Sequence, residues 1–517
     1  MNRRSSQNRR ERSVTGVKQS KHTGIPRSFP RSAGPAGARP ALYIVVAALC
    51  AFTYRGIFDN YLFNDDFSWL RAARYDMSWG TILTYRVVNF FRPLINLSFF
   101  AVEHLSPGNI RLHYAGNLIL HFLNTLLVFH LLATLLRRWG VAAATAILFA
   151  VSSLHIGAVF WISARTTLLS TFLLLLALII ATRGMKRELL RVVLAAVLFA
   201  LALAAKETAI AGLPVVFLLY AVRRRWRGEY PLGRGVLVSF TAISIAYLII
   251  RKFVMGGFFQ HTWGPGLHAV RNLAGGFLFQ FYPFPFFTLF MPGATTLSEP
   301  AHPFLPEIVV VALIVGLLWI GAATRRTGEY VLAIGWTLLA LLPACAFRYR
   351  FFSTASITQN RYYYLSSIGS LLVMTLLLAA LWNGRSRIRR VLCVAIFVML
   401  AAGWVLRVHR LEKKWDLYTL MYREVVFSLV EEIEKRSGFT TIAIEDPPLA
   451  FPYVADAVLL EMGNRNRGGG TAGPFNRPPY KIVEIEGGAA AADAYRPCLY
   501  IYYTGEYPKM MWIEQRE

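Results

Sequence analysis

The chain has 517 residues, 56% of them hydrophobic and 16% charged, and a mean hydropathy of +0.45, which excludes an ordinary soluble globular domain. A formal net charge of +27 would point to nucleic acid in a soluble protein. Here the basic residues stand in short clusters between apolar runs of near-bilayer length, so they read as topological markers of a polytopic helical membrane protein.

Residues 1–40 carry ten Lys or Arg against one acid, Glu11, among many Ser, Gly and Pro. This reads as a disordered basic cytoplasmic tail able to touch anionic lipid. It is long and polar for a cleavable signal peptide, with an extended bacterial leader as the alternative. Because Lys and Arg collect on the cytoplasmic side, each later cluster marks one end of two spans. The spans then fall at about 41–60, 114–136, 140–160, 167–182, 190–205, 209–221, 235–253, 306–323, 330–347, 363–382 and 391–407. Eleven spans put the N-terminus inside and the C-terminus outside. The first outer loop covers about 61–112, and a longer outer region covers about 254–304. Within the latter, "GGFLFQFYPFPFFTLFMPG" is apolar enough to enter the membrane, but Pro283, Pro285 and Pro292 favour a re-entrant or interfacial segment over a full span.

After Arg410 the pattern changes. "WDLYTLMYREVVFSLVEEIEKR" has amphipathic helical spacing, and "TTIAIED", "KIVEIEGG" and "CLYIYYTG" read as short strands. The chain therefore divides into the tail, a membrane unit at 41–410, and a small α/β extracytoplasmic domain at 411–517, with "NRNRGGGTAGPFNRPP" as a mobile loop. No tetratricopeptide or other repeat is visible in this region. Cys50 and Cys393 lie in apolar runs as small hydrophobes, and the four cysteines spell out neither a disulfide nor a zinc framework.

On this topology the outer ends of the segments collect the unusual polar residues: Asp65, Asp66, Arg92, His155, Arg165, Lys206, Glu207 and Arg361. Charge near a bilayer is costly, so such residues pair or line a functional cavity. In the second span His113, Asn117, His121 and Asn124 fall within about 80° of one another on a helix, a polar stripe that must face protein. Its bland reading is interhelical hydrogen bonding, with His113 nearest the outer face. Adjacent Asp65 and Asp66 cannot both point the same way, so they do not form a facing acid and base pair. One base suffices when the leaving group is a phosphate, which departs unprotonated and needs only cations to hold its charge. The structural alternatives are a helix N-cap for Asp65, a surface ion pair for Lys206 and Glu207, and a snorkelling interfacial arginine for Arg361.

Five blocks, in order, resemble the GT-C superfamily of integral-membrane glycosyltransferases. They are "FNDDF", "FRPLINLSFF" with "HYAGNLILHFLN", "LHIGAVFWISARTTLLS", "AKETAIAGLP" and "NRYYYLSSIG". The likeness is greatest to bacterial relatives of the transmembrane and tetratricopeptide-repeat O-mannosyltransferases, with the protein O-mannosyltransferases further off. The resemblance implies an all-α polytopic GT-C-like fold. It implies inverting transfer of a sugar from a polyprenyl-phosphate donor to a protein, lipid or glycan acceptor on the outer face of the plasma membrane. It also implies Asp65 as general base and Asp66 as its orienting or acceptor-binding partner. Arg361, Lys206, Arg92, Arg165 and His155 would hold the donor phosphate, supported by Glu207, His113 and Tyr364. The family's His-Pro pair and further acids are replaced by Ser152, Ser153, Gly157 and Thr167, and its repeat array is absent. With Asp65, Asp66 and Glu207 as the acidic ligands on that face, no metal site is assigned and no cofactor is required, although a divalent cation stays open. A transporter or flippase of lipid-linked saccharides, relaying protons through Asp65 and the histidines, is the competing class. It would be favoured by inverted repeats, which the sequence does not show. A third class is a non-catalytic assembly scaffold.

Overall fold

A computed structural model describes residues 37–87, 90–183, 185, 187–227, 233–255, 266–281, 305–345, 357–383, 386–437, 441–445, 451–465, 481–484, 491–496, 498–503 and 511–516. Nearly all of the basic tail, the proline-rich stretch 282–304 and the glycine-rich segment 466–480 lie outside the described residues.

In chain order the helices are α1 (Ala38–Thr53), α2 (Asp65–Arg71), α3 (Pro93–Leu105), α4 (Ile110–Leu136), α5 (Trp139–Val151), α6 (Ile156–Val159), α7 (Arg165–Thr182) and α8 (Glu188–Ala205). They continue as α9 (Gly212–Val222), α10 (Arg234–Met255), α11 (Gly266–Phe281), α12 (Leu305–Ala323), α13 (Thr327–Cys345), α14 (Ser367–Trp382), α15 (Arg387–Glu434) and α16 (Phe451–Arg465). Each stretch expected to span overlaps a helix, although the first helix already ends at Thr53 and the third stretch is broken in two. Among the described residues, six helices are long and apolar enough to cross a bilayer, and the bent pair Trp139–Val151 and Ser153–Val159 makes a seventh. Ala38–Thr53, Ile308–Ala323 and Ser367–Trp382 are apolar but shorter. The protein is a multi-pass integral membrane protein.

Local chemistry sets several boundaries. Asn109 caps α4 by accepting a hydrogen bond from the Leu112 amide at 3.2 Å. Pro93 opens α3 where its missing N–H costs nothing. The third span does not run straight. At Ser152 the backbone turns extended, the Ser152 hydroxyl accepts from the Leu154 amide, and the chain bends by 53°. Apolar faces then assemble the bundle, with α7 packed on α8, α4 on α5 and α7, and α13 on α14. At Gly369 the last pair approaches so closely that a Cβ would collide with the Ala333 carbonyl and the Thr337 hydroxyl.

Two expectations are corrected. The eleventh span and the amphipathic segment beyond Arg410 form one 48-residue helix, α15, about 72 Å long. Val408, Trp415, Tyr422 and Leu429, seven apart, are all buried and keep one apolar face in register through the charged stretch. The C-terminal region also holds a strand that the sequence reading passed over. Its sheet runs β2 (Lys481–Glu484), β1 (Thr441–Glu445), β3 (Cys498–Tyr503), β4 (Met511–Arg516), with β1 parallel to β2 and β3, and β4 antiparallel to β3. α16 packs on α2, in the first loop of the membrane unit.

Candidate functional site

The polar stripe of α4 organises the expected outer end of the bundle. His113, Asn117, His121 and Asn124 are all fully buried. Asn117 donates to the Val159 and Trp161 carbonyls at 3.2 and 2.8 Å, and Asn124 donates to Leu168 O at 2.9 Å. His121 bridges the Tyr364 hydroxyl at 2.8 Å and Ala150 O at 3.1 Å. The bonds to the Ala150, Val159 and Trp161 carbonyls satisfy backbone groups freed by the break after α5 and pin the segment 152–164 against the bundle.

Arg165 belongs to the same stripe. Its guanidinium donates to Asn117 Oδ1 at 3.2 Å and to His113 O at 2.8 Å, and lies 4.8 Å from the Phe99 ring centre. The far end of the stripe is anchored by Glu103, buried between His113 Nε2 at 3.1 Å and Arg74 at 2.9 Å. Burial pushes the Glu103 carboxyl up, but the His113 hydrogen bond and the Arg74 charge outweigh it and hold the group below its usual range. His155 is also fully buried, bonded to the Ser367 hydroxyl at 2.8 Å and packed against Phe149 and Tyr364. Arg165, His155, His113 and Tyr364 therefore sit in the packing that shapes the site.

The two aspartates part company. Both stand in the first turn of α2, where carboxylates suit the helix dipole. Asp66 points inward and is fully buried. Its Oδ1 accepts from the Ser163 amide at 2.7 Å and hydroxyl at 2.5 Å, and its Oδ2 accepts from the Phe63 amide at 3.1 Å. Burial raises it to about 7 against the pull of those donors. Asp65 stays partly accessible, and its Oδ1 accepts from the Tyr453 hydroxyl of α16 at 2.6 Å. The α2 and α16 contact is reinforced by Asp456, which takes the Arg71 guanidinium at 2.6 Å and the Ser68 hydroxyl at 2.5 Å. Tyr422 of α15 donates to Asn64, the residue before the pair.

Three of the expected cations gather. Lys206 and Arg361 line one narrow cleft with Thr167, Thr208 and Tyr362. Lys206 Nζ donates to Thr167 Oγ1 at 2.6 Å. Arg361 is held by the Thr358 carbonyl at 2.8 Å and lies over the rings of Trp161 at 4.3 Å and Tyr362 at 4.7 Å. Burial, then the charges of Arg361 and Arg92, drive the Lys206 amine well below its usual range. Arg92 is fixed by Glu207 through bonds of 2.7 to 3.2 Å. Burial would raise Glu207, but Arg92 and Lys206 bring it down to about 2.

Trp161 links the two halves. Its indole N–H donates to the Phe63 carbonyl at 3.2 Å while its face carries Arg361. The Arg361 charge is also felt at Tyr453, whose hydroxyl holds Asp65. Asp65, Lys206 and Arg361 thus stand around one end of the bundle. Tyr453, Tyr422, Trp161, Ser163 and Thr167 were missed by sequence reasoning. Tyr453 and Tyr422 carry no local signal, whereas the polar run 163–167 beside Arg165 does.

No protein-family model and no curated protein matches the sequence. Among solved structures, the chain is similar to the archaeal oligosaccharyltransferase AglB from Archaeoglobus fulgidus, in complex with an inhibitory peptide and a dolichol-phosphate. The identity is 12% and the TM-score 0.50, over 82% of this chain and 64% of that one. The chain thus spans less than two thirds of that protein's length. ArnT from Cupriavidus metallidurans gives 12% identity and a TM-score of 0.49 in the apo state, over 91% of this chain and 93% of that one. Bound to undecaprenyl phosphate it gives 12% and 0.47, over 92% and 94%. Over most of its length this chain shares the fold of that AglB structure.

Proposed function

We propose that this chain is a membrane glycosyltransferase of the GT-C kind that moves a sugar from a polyprenyl-phosphate donor to an acceptor hydroxyl on the extracytoplasmic face. Asp65 is the only one of the two aspartates with a carboxylate oxygen not committed to the backbone and Ser163, and it takes the acceptor proton. The acceptor oxygen then attacks the anomeric carbon as the bond from that carbon to the phosphate oxygen breaks, and the configuration inverts. The electron pair leaves on the phosphate, where Lys206 and Arg361 meet the charge. Arg92 adds to that field, and Glu207 keeps it in place. That AglB, whose fold this chain shares, is found with a dolichol-phosphate supports a lipid-phosphate donor.

Asp66, Arg165, His155, His113 and Tyr364 act by position. Asp66 clamps the loop carrying Ser163 and Trp161, and the others hold the α4 stripe against that loop. The scheme uses no metal. The basic tail is cytoplasmic, and the C-terminal α/β unit lies outside, seated on the acidic loop through Tyr453 and Asp456.

The observation that carries this reading is the cleft shared by Lys206 and Arg361, joined through Trp161 to the loop bearing Asp65. Its test is a transfer assay in proteoliposomes with a radiolabelled polyprenyl-phosphate sugar and envelope acceptors. Asp65→Asn is expected to lower transfer by about 10²- to 10⁴-fold with unchanged insertion and folding. Unaltered transfer removes Asp65 as base. Donor movement across the bilayer without transfer in the wild type replaces this reading with a flippase of lipid-linked saccharides.

A further inference from the structure

The cleft that holds Lys206 and Arg361 continues past them along one face of α7, through Thr167, Ser170 and Thr171. Ser170 and Thr171 follow Thr167 by three and four residues, so they lie one helical turn, about 5 Å, further from the start of α7. All three are more than nine-tenths buried, at 6%, 4% and 4% exposure. Across the cleft stand Ala340 and Ala344 of α13, whose small side chains leave the hydroxyls uncovered.

A buried hydroxyl in a membrane helix ordinarily returns to a carbonyl three or four residues back. Thr125, Thr145, Thr182 and Thr337 do so here, at 2.8 to 2.9 Å. Ser170 and Thr171 do not. Among the described residues neither hydroxyl has a hydrogen-bond partner, and that of Thr167 accepts from Lys206 Nζ at 2.6 Å without donating. Burying a hydroxyl unpaired costs free energy, so helix packing alone does not explain these residues. The cations are in a similar condition. Lys206 has the Thr167 hydroxyl and the Tyr362 ring, and Arg361 has the Thr358 carbonyl, the Tyr362 hydroxyl and two aromatic faces. Neither meets a carboxylate among the described residues, and no carboxylate or amide side chain lines the cleft. Its polar side chains can all donate and none is anionic, a set that suits an oxyanion rather than a sugar hydroxyl.

Resting on the transferase reading above, we propose that Thr167, Ser170 and Thr171 are further donor-binding residues, whose hydroxyls hold phosphoryl oxygens of the lipid-linked donor beside Lys206 and Arg361. The cations take the oxygens nearest the sugar and the hydroxyls those on the lipid side, while Leu174 and Leu365 receive the first carbons of the chain. The free volume is about 20 Å³, room for one water, so the phosphoryl group enters as the flexible Lys206 side chain turns from Thr167 to meet it. A monophosphate and a diphosphate present the same oxygens to this cleft.

Ser170→Ala with Thr171→Val deletes two hydroxyls at nearly constant shape and breaks no hydrogen bond of the free protein. Calorimetric titration of the full chain in micelles with farnesyl phosphate and with farnesyl diphosphate reads the site without acceptor, sugar or turnover. The double variant is expected to bind about tenfold more weakly than the wild type while melting no lower without ligand, and Thr171→Ser, which keeps the hydroxyl, to bind as the wild type does. A loss shared by both probes assigns the hydroxyls to the phosphoryl group that a monophosphate donor carries, and a loss confined to the diphosphate assigns them to a second one. Equal affinities of wild type and double variant for both probes overturn the proposal, and the transferase reading outlives it when Lys206→Met still weakens binding. A double variant that loses stability along with affinity marks the hydroxyls as packing and overturns the proposal as well. Absence of binding of either probe by the wild type overturns both readings.

Discussion

Neighbouring aspartates should fail in opposite ways, and Asp66→Asn is the sharper case. The carboxylate is fully buried with three donors on its two oxygens, the Ser163 amide and hydroxyl and the Phe63 amide. An asparagine keeps one acceptor oxygen and turns an NH₂ toward the donors at the other, leaving a buried N–H unmet at a cost of about 1–3 kcal/mol. The pH dependence is a second signature. Burial lifts Asp66 from 3.8 to about 7, so the folded state binds this proton more tightly than the unfolded state. Stability from the group is complete below about pH 4 and is lost as pH rises through about 7. The linkage amounts to about 4 kcal/mol, an order-of-magnitude figure. Denaturant or thermal unfolding in micelles between pH 4 and 7.5 should show the wild type weakening with rising pH. Asp66→Asn should start lower and lack that slope. A variant as stable as the wild type, with the same slope and no transfer, would make Asp66 a reacting group and refute the division of labour between the two residues.

Lys206→Met should abolish productive donor binding while leaving the fold intact, and transfer by the wild type should weaken as pH rises through the depressed range of the amine, because only the protonated form meets the phosphate. Donor titrations across pH check both. Tyr453→Phe removes the hydroxyl that holds Asp65 at 2.6 Å. It should lower kcat by about tenfold with little change in donor KM, and equal reductions of folded yield and kcat would mark the residue as packing alone. Gly369→Leu should prevent α13 and α14 from closing, since even a Cβ meets Ala333 O and Thr337. The readout is folded yield in detergent, expected to collapse, whereas Gly369→Ala should retain a measurable fraction.

The membrane class, the helical stretches and the stripe on α4 could be read from the sequence, because hydropathy and 3.6-residue periodicity are properties of contiguous residues in a bilayer. Basic clusters likewise marked the helix ends. Local rules failed at Ser152, where a span breaks so that its freed carbonyls can meet Asn117, and at Arg410, where a charged run hid the continuous buried face from Val408 to Leu429. The acidic pair was visible as a pair, but its two fates were not. Asp66 is claimed by Ser163, 97 positions away, and Asp65 is held by Tyr453, 388 positions away. Hydrogen bonding and burial at such separations depend on which segments the bundle folds together. Only the tertiary structure could decide which carboxylate is buried on the loop backbone and which stays partly accessible.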